Sequence, residues 1–512
     1  MKTRTYKLSL KSKEGIVTII LVIVKVALHI FSDLKSGYHW DELLHIEAGN
    51  HLAFGYADFP PMVGIIAWLQ NQLQSESLFV NRAFIHMAGV ATMVLTSMIV
   101  IKLGGKWKAI LIALLCILVS PMFGVSHTLF LPVGFSQFFH LLAAYYLISF
   151  YLKKNDKYLY FLALSVGLGF LTKYLIGFFI LSLAICVLLM DRSLLRRSAF
   201  WKAIGLFILI ITPNILWQVV HEFPVIGHFN ALVDTDLNGS SFKQELILIM
   251  KYFNPVTLGI SVAGILLLSF HRGHKPLKII GLTLTLQLLL ILAANGKFYY
   301  IAPIILAGIP LGAVWIEKRA TARSWSFITV TTVILVSGVI LLPHGMPFFS
   351  PDRYVRIYDI QTTEDGRNPI FFDHFQTRTL WPRVLEEMKE TIDNLPEEEK
   401  TNCIIWGKHY AYSGIVDLYR EDYGFPPSIC HMGCYHDWMP ELDKSAVYIT
   451  TGEINLTLDF WFQFFDSVEE VKLIENKFSW DYKQSGIRIY VCRGLKYNKD
   501  ELKQKIDKYY GI

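Results

Sequence analysis

Two adjacent carboxylates, Asp41 and Glu42, are the residues of this sequence best suited to chemistry. They directly follow the first long apolar segment, in the stretch YHWDELLH at residues 38–45. An ionisable side chain at a membrane edge is costly unless it faces water or a partner, so this pair indicates a functional site. Glu42 can orient Asp41, raise its pKa by like-charge repulsion or help to bind a metal ion. The alternative is that both belong to a solvated loop.

Composition identifies the class of protein. Of the 512 residues, 53% are apolar, and the mean hydropathy of +0.40 is too high for an ordinary soluble protein. Apolar runs long enough to cross or nearly cross about 30 Å of hydrocarbon number about eleven. They lie at 15–32, 80–101, 108–131, 134–152, 158–172, 174–190, 201–219, 246–270, 277–294, 299–316 and 325–343. The sequence therefore predicts an α-helical polytopic membrane protein.

The distribution of basic residues predicts how the chain is oriented in the membrane. Residues 1–349 hold 28 Lys and Arg against 14 Asp and Glu, whereas residues 350–512 hold 20 against 28. The excess basic residues lie in short connections on one face, which the positive-inside rule makes cytoplasmic, so they do not indicate nucleic-acid binding. We expect a cytoplasmic N-terminus in the cytoplasmic (inner) membrane. An odd number of spans then makes the C-terminal region extracytoplasmic.

The first outer loop has its own structure. Residues 39–54 and 60–73 carry apolar side chains in the pattern of short helices that lie along the membrane, the second opened by two prolines. This arrangement would put Asp41, Glu42, His45 and Asp58 at the depth of lipid headgroups, where a lipid-carried substrate presents its reactive bond. Asp58 equally suits the cap of the second helix.

Five further residues are candidates for substrate binding on the outer face. Basic residues are disfavoured on the outer face, so the presence of Lys173 and Lys297 there requires an explanation. Pairing with a substrate phosphate is one explanation, and the alternative is that their amines extend to lipid headgroups. Tyr299 and Tyr300 can contact the same phosphate or belong to the interfacial aromatic belt. His221 lies in the second outer loop, where it can line a cavity or be a solvated polar residue.

The C-terminal region is a separate domain by composition. We predict domains at 1–345 and 346–512, divided where proline and glycine end the last apolar run. Helices are predicted at 384–394, 410–419 and 458–465, and strands at 403–406, 446–450 and 487–492, a pattern typical of a small α/β domain. Cys403, Cys430, Cys434 and Cys492 fit structural thiols or one disulfide better than a metal site.

Several segments resemble one known superfamily. Residues 40–62 (WDELLHIEAGNHLAFGYADFPPM) are similar to the first-loop signature of bacterial GT-C glycosyltransferases related to protein O-mannosyltransferases and lipid A aminoarabinose transferases. Further similarities follow in the same order along the chain. They are GFLTKY at 169–174, TPNILW at 212–217 with HEFP at 221–224, GKFYYIAP at 296–303 and WGKHYAYSG at 406–414.

The resemblance implies a GT-C fold and a function. Such enzymes take a sugar from a polyprenyl-phosphate donor and transfer it, with inversion, to a lipid, glycan or protein acceptor outside the membrane. Their first-loop aspartate, here Asp41, is the general base on the acceptor hydroxyl, with Glu42 in a supporting role. The leaving phosphate needs cations or hydrogen-bond donors, and Lys297, Tyr299 and Tyr300 are the candidates.

One departure affects the site. Family members often carry a second aspartate near the outer end of the fourth span, where this chain has Ser136. This departure weakens any claim of a second acidic site or of metal binding, leaves the choice of donor and acceptor more open, and keeps a divalent cation as an open alternative. A multispan lipid or glycolipid transporter is the alternative function, and an envelope scaffold is a third; no inverted repeat of the kind found in transporters is visible.

Overall fold

The computed structural model describes residues 9–233, 242–270, 276–320 and 324–510. The chain forms two compact units. The first comprises Met1–Phe31, Phe54–Val63 and Arg82–Met346, and the second comprises Ser32–Ala53, Gly64–Asn81 and Pro347–Ile512. The second unit thus includes two segments of the predicted first outer loop, which the sequence analysis had placed in the same domain as the spans.

Apolar helices make up the first unit. They are α1 Lys13–Asp33, α4 Ala83–Lys102, α5 Trp107–Leu118, α6 Pro121–Ser126, α7 Pro132–Lys153, α8 Lys157–Phe170, α9 Gly177–Met190, α10 Ser198–Val220, α11 Pro224–Leu232, α12 Phe242–Phe253, α13 Pro255–Phe270, α14 Lys278–Ala293, α15 Ala302–Ala320 and α16 Ser324–Leu341. Among the described residues, six helices are long and apolar enough to cross a membrane, or seven if one bent pair is a single span. The multi-pass membrane architecture is confirmed, and the count of eleven spans stays a prediction.

Two of the predicted apolar runs are broken. The run at 246–270 divides into α12 and α13, which meet at 99°. Asn254 between them has a φ of +62°, and Pro255 has no N–H to continue a helical ladder. The run at 108–131 divides into α5 and α6 in the same way, with Pro121 as the first residue of the second helix. Hydropathy detects the apolar run but not the break.

Small residues allow helices α13 and α15 to pack closely. A Cβ atom added at Gly264 would lie 2.3 Å from the backbone nitrogen of Gly312, and one at Gly308 would lie 2.2 Å from Ser261 Oγ. Close approach of helix backbones through glycines is a typical way to pack spans, because lipid provides no hydrophobic drive between them.

The second unit contains a mixed five-stranded sheet with helices. Its strands are β1 Cys403–Gly407, β2 Ser428–Cys430, β3 Val447–Glu453, β4 Phe465–Glu475 and β5 Gly486–Leu495, in the order β2-β1-β3-β5-β4. β1 is parallel to β2 and β3, and β5 is antiparallel to β3 and β4. The predicted small α/β domain is confirmed. The predicted helix at 458–465 is too long, because β4 begins at Phe465.

Helices of the second unit include the two short helices of the predicted first outer loop, the second of them from Gly64 onward. They are α2 Trp40–Glu47, α3 Met62–Asn71, α17 Pro351–Ile357, α18 Thr377–Asp393, α19 Glu397–Thr401, α20 Tyr410–Leu418, α21 Arg420–Tyr423, α22 Tyr435–Trp438, α23 Leu458–Phe462 and α24 Lys499–Tyr510. α2 packs on α20, where a Cβ atom at Gly414 would lie 2.8 Å from Leu43 Cβ. Both helices are shorter than the predicted 39–54 and 410–419.

Candidate functional site

Asp41 lies in the first turn of α2, and a capping box fixes that turn. His39 is the N-cap: its Nδ1 accepts a hydrogen bond from Asp41 N at 3.1 Å, and its own N–H donates to Glu42 Oε2 at 2.8 Å. This reciprocal arrangement satisfies backbone donors that a helix start otherwise leaves without partners. The fully buried Glu42 therefore anchors the helix that carries Asp41, and its supporting role in catalysis stays a prediction.

The Asp41 carboxylate has a partner from the C-terminal part of the second unit. Tyr410 Oη donates to Asp41 Oδ1 at 2.7 Å. Tyr410 is the first residue of α20, whose N-cap His409 accepts from Ala411 N at 3.2 Å through its own Nδ1. A hydroxyl bound to one carboxylate oxygen fixes the rotation of the group and leaves Oδ2 to act on a substrate.

Opposing effects set the ionisation of Asp41. Burial raises its pKa, but the pKa ends below the usual value because His39, the Tyr410 hydroxyl and His45 together stabilise the carboxylate more strongly. Asp41 is consequently ionised at neutral pH and can accept a proton. His45, one turn further along α2 and itself buried, thus acts on Asp41 through charge.

A second acid, Asp373, lies beside the N-cap of α2. His39 Nε2 is 3.9 Å from Asp373 Oδ2, and because His39 Nδ1 accepts a backbone N–H, a neutral His39 carries its proton on Nε2. Burial raises the pKa of Asp373 to about 6, His39 opposes this and the Asp41 charge adds to it. Ser136 in place of the family aspartate weakens the expectation of a second acidic site, and no pattern in the sequence points to Asp373.

Aromatic side chains surround the start of α2. The Trp40 ring lies 5.0 Å from Trp381 and 5.2 Å from both His409 and Tyr412, between ring centroids. Trp381 Nε1 donates to Tyr38 O at 2.9 Å. Edge-to-face aromatic contacts of this kind are specific in geometry and exclude water. They hold the N-terminal end of α2 in place. Burial also lowers the pKa of His409 to about 4, so this side chain is neutral at neutral pH.

In the first unit, three of the predicted phosphate-binding residues come together. Lys173 Nζ lies 5.3 Å from the Tyr299 ring centroid and 5.4 Å from that of Tyr300. The tyrosines belong to a 3-10 helix, Phe298–Ile301, whose N-cap is Lys297. Lys173 is itself the N-cap of the 3-10 helix Tyr174–Ile176. An amine over aromatic rings is well placed to pair with an anion.

The remaining two candidates of the first unit have different partners. Asp58 Oδ1 lies 3.2 Å from His228 Nδ1. His221 stacks on Trp217, with ring centroids 4.1 Å apart, and its Nδ1 lies 2.8 Å from Trp217 O. The nine predicted site residues are thus divided: Asp41, Glu42 and His45 belong to the second unit and the other six to the first.

Among the described residues, neither the cysteines nor a cluster of metal-ligating side chains forms part of the site around Asp41. All six cysteines lie among the described residues and are buried, and their sulfurs are thiols rather than disulfides. In the part of the chain that the structure describes, no three His, Cys, Asp or Glu side chains are grouped so as to hold a metal ion.

Comparisons with known proteins agree with the resemblance seen in the sequence. The model of the dolichyl-phosphate-mannose-protein mannosyltransferase family matches residues 58–217. Among solved structures, apo ArnT from Cupriavidus metallidurans superposes with a TM-score of 0.58 at 13% identity, covering 92% of this chain and 97% of ArnT. ArnT from the same organism bound to undecaprenyl phosphate gives 0.53 at 12% identity, with the same coverage.

These findings settle the fold. No curated protein matches the sequence, and at such low identity the structural likeness concerns the fold alone. The predicted resemblance to GT-C glycosyltransferases is confirmed, and the chain has an ArnT-like fold. The roles of individual side chains depend on the geometry described above.

Proposed function

We propose that this protein transfers a sugar from a polyprenyl-phosphate donor to an envelope acceptor, with Asp41 as the general base and inversion at the sugar carbon. The observation that carries the proposal is the Asp41 carboxylate, fixed on a capped helix by the 2.7 Å bond from Tyr410. The pKa of Asp41 is lowered, so it is in the ionised form that a base requires. The family match and the ArnT-like fold support the same reaction class.

The chemistry follows from the partners of Asp41. The free Oδ2 accepts the proton of the acceptor hydroxyl while the acceptor oxygen forms a bond to the sugar carbon. The bond from that carbon to the phosphate oxygen breaks, and the lipid phosphate leaves with the electron pair. A phosphate needs no added proton at neutral pH, but its developing charge needs stabilisation. A single displacement from the opposite face inverts the configuration.

The first unit offers groups for a lipid-phosphate donor. We assign Lys173, Lys297, Tyr299 and Tyr300 to the phosphate, since the amine of Lys173 lies over both tyrosine rings. Helices α7, α8, α9 and α10 enclose a cavity of about 320 Å³ lined by apolar side chains only, which suits an isoprenoid chain. One solved structure of the same fold, that of ArnT, has undecaprenyl phosphate bound.

The other assignments complete the proposal. His45 lowers the pKa of Asp41. Asp58 and His221 contact the acceptor or the donor. The domain 346–512 lies outside the cytoplasmic membrane, and the N-terminus lies inside. The clusters of Lys and Arg in the short connections before position 350, which fall on one face, support this orientation.

Sugar transfer by isolated membranes tests the proposal. Membranes that contain the full chain are incubated with a panel of radiolabelled polyprenyl-phosphate sugars, and label is followed into protein, lipid and polysaccharide. We expect transfer of one sugar, reduced by about 10²- to 10⁴-fold in Asp41→Asn, the usual contribution of a general base. The control is Asp459→Asn, an exposed acid of the same unit.

Two results would contradict this function. Transfer at the wild-type rate by Asp41→Asn would remove Asp41 from the chemistry. Retention of all label on the donor lipids, together with movement of those lipids across the membrane, would favour the transporter alternative.

A further inference from the structure

The second unit contains a cleft of about 430 Å³ that none of the assigned site residues lines. Its walls come from the C-terminal end of α2, the end of α3 with the connection that follows it, and helices α20 and α21. We call it the α2–α20 cleft. Its volume is within the range of small-molecule sites, which is roughly 300–1,000 Å³. Typical sites of that size are mostly apolar, whereas this cleft is mostly polar, so a ligand for it must itself be polar.

Side-chain amides form a fixed polar wall. Asn71 Nδ2 donates to Ile46 O and to Asn50 Oδ1, each at 3.0 Å, and Asn50 Nδ2 donates to Glu47 Oε2 at 3.0 Å. Gln74 continues this wall. A connected set of planar amide and carboxylate groups is held in orientation before a ligand arrives, which reduces the cost of binding. Such groups both donate to and accept from hydroxyl and acetamido groups.

The charge of the cleft selects against anions. Four carboxylates line it, and none of its described lining residues is basic. Burial and the charge of Glu47 raise the pKa of Asp417 to about 7, and the hydrogen bond to Asp422 raises the pKa of Glu76. Burial is the main cause of the shift at Asp417, and neighbouring carboxylates add to both shifts. A phosphate or carboxylate placed here would meet repulsion from the lining carboxylates, and Arg420, which lowers the pKa of Asp417, offsets only part of it.

Position links the cleft to Asp41. Both use α2: Asp41 lies in its first turn, and Ile46 and Glu47 at its last turn line the cleft. Six residues of helix separate them, which is about 9 Å at a rise of 1.5 Å per residue. Gly414 keeps α2 and α20 in contact, so the two helices that hold Asp41 and Tyr410 also form the walls of the cleft.

We propose that the α2–α20 cleft is a subsite for a saccharide part of the acceptor that carries hydroxyl, acetamido or amine groups and no phosphate or carboxylate. The proposal rests on the proposed function, because it names the class of acceptor. Binding to the cleft itself needs no catalysis, so it can be measured independently of transfer.

Direct binding to the purified full chain in detergent tests the subsite. Saturation-transfer NMR is recorded with chitotriose as the neutral probe, its deacetylated trimer as the amine-bearing probe and trigalacturonic acid as the anionic probe. Glu421→Trp fills the cleft from an exposed position on α21, and Glu398→Trp adds the same ring at an exposed acid of α19 that does not line it.

The expected pattern is specific. Chitotriose or its deacetylated trimer binds to wild type, to Glu398→Trp and to Asp41→Asn, and Glu421→Trp weakens binding by at least about tenfold, or 1.4 kcal/mol. The proposal is overturned if neither sugar binds, if trigalacturonic acid binds equally well, or if Glu421→Trp binds as wild type does. Binding of Ca²⁺ alone that Glu421→Trp abolishes, without saccharide binding, also overturns it.

The same variants separate this proposal from the proposed function. If Asp41→Asn transfers sugar at the wild-type rate while Glu421→Trp still loses saccharide binding, the catalytic assignment fails and the subsite stands. If Asp41→Asn loses transfer while the cleft binds no saccharide, the reverse holds.

Discussion

Replacing Tyr410 by Phe isolates one hydrogen bond of the candidate site. The substitution removes the hydroxyl that donates to Asp41 Oδ1 at 2.7 Å and keeps the ring on α20. A hydrogen bond to a charged group contributes about 1.5–3 kcal/mol. Asp41 and Tyr410 are only partly buried, so water replaces some of the lost interaction, and the lower end of this range applies.

The bond stabilises the ionised form of Asp41, so its loss raises the pKa. One pKa unit corresponds to 1.36 kcal/mol, and the expected rise is therefore about one unit. A general base works only when deprotonated, so the rate falls as the pH drops through its pKa. In Tyr410→Phe the acid limb of the kcat/KM profile should move up by about one pH unit. Rotation of the freed carboxylate should also lower kcat at pH 8 by up to about tenfold.

The assay is sugar transfer by the purified full chain from about pH 2.5, below the lowered pKa of Asp41, up to pH 8. Tyr497→Phe is the matched control, since it removes a hydroxyl that is bound by Lys505 at 2.6 Å in the same unit. A merely structural effect would lower the rate equally at every pH. An unmoved acid limb in Tyr410→Phe, or an equal shift in the control, would refute the role given to this bond.

Three further substitutions test other parts of the structure. Lys173→Gln should raise the KM for the donor by about tenfold or more, with a smaller change in kcat, because it removes a positive charge from the proposed phosphate site. The control is Lys202→Gln, at an exposed lysine of the same unit. An equal effect of the control would contradict the assignment of Lys173. Asp373→Asn should raise Tm increasingly between pH 4 and pH 6 and by a constant amount above. The pKa of Asp373 is raised from 3.8 to about 6, so between these values the unfolded chain ionises Asp373 while the folded chain keeps it protonated, and wild type loses stability as the pH rises. A gain independent of pH would contradict this. Gly37→Ala should lower Tm, since its Cβ would lie 2.3 Å from a backbone nitrogen of α18. Gly177→Ala, with open space around the added Cβ, should not.

Hydropathy predicts the helices of the first unit because they lie in long apolar runs, although it does not detect the breaks within the runs at 108–131 and 246–270. The same reasoning identifies the buried strands β1, β3 and β5 of the sheet. It misses β4, because this strand lies at the edge of the sheet and most of its side chains are exposed and polar. Polar edge strands avoid unwanted pairing, so they lack the alternation that a sequence reader uses. β2 was missed because it has only three residues.

The candidate site is predictable only where its residues are close in the sequence. Three of its residues, Asp41, Glu42 and His45, lie within two turns of one helix. Their ionisable side chains alone indicate a functional site. Tyr410 lies 369 residues from Asp41, and no local pattern joins the two. The WGKHYAYSG segment at 406–414 carries part of the family resemblance. That resemblance indicates that Tyr410 has a function, but it does not indicate the hydrogen bond to Asp41. Asp373 had no signal at all, because it lies in a stretch without a recognised motif.

The two acids near His39 have opposite environments, and this difference assigns their roles. Asp41 accepts a hydroxyl hydrogen bond and lies near several histidines, which lower its pKa, whereas burial raises the pKa of Asp373 to about 6. Neighbouring carboxyl groups whose pKa values are driven apart typically divide acid and base work. Asp41 is ionised over the whole range in which Asp373 titrates. This difference supports our proposal that Asp41 is the base, and we propose that Asp373 modulates it through His39 Nε2 and through charge. Sequence comparison at Ser136 missed this acid because it is supplied by a different element.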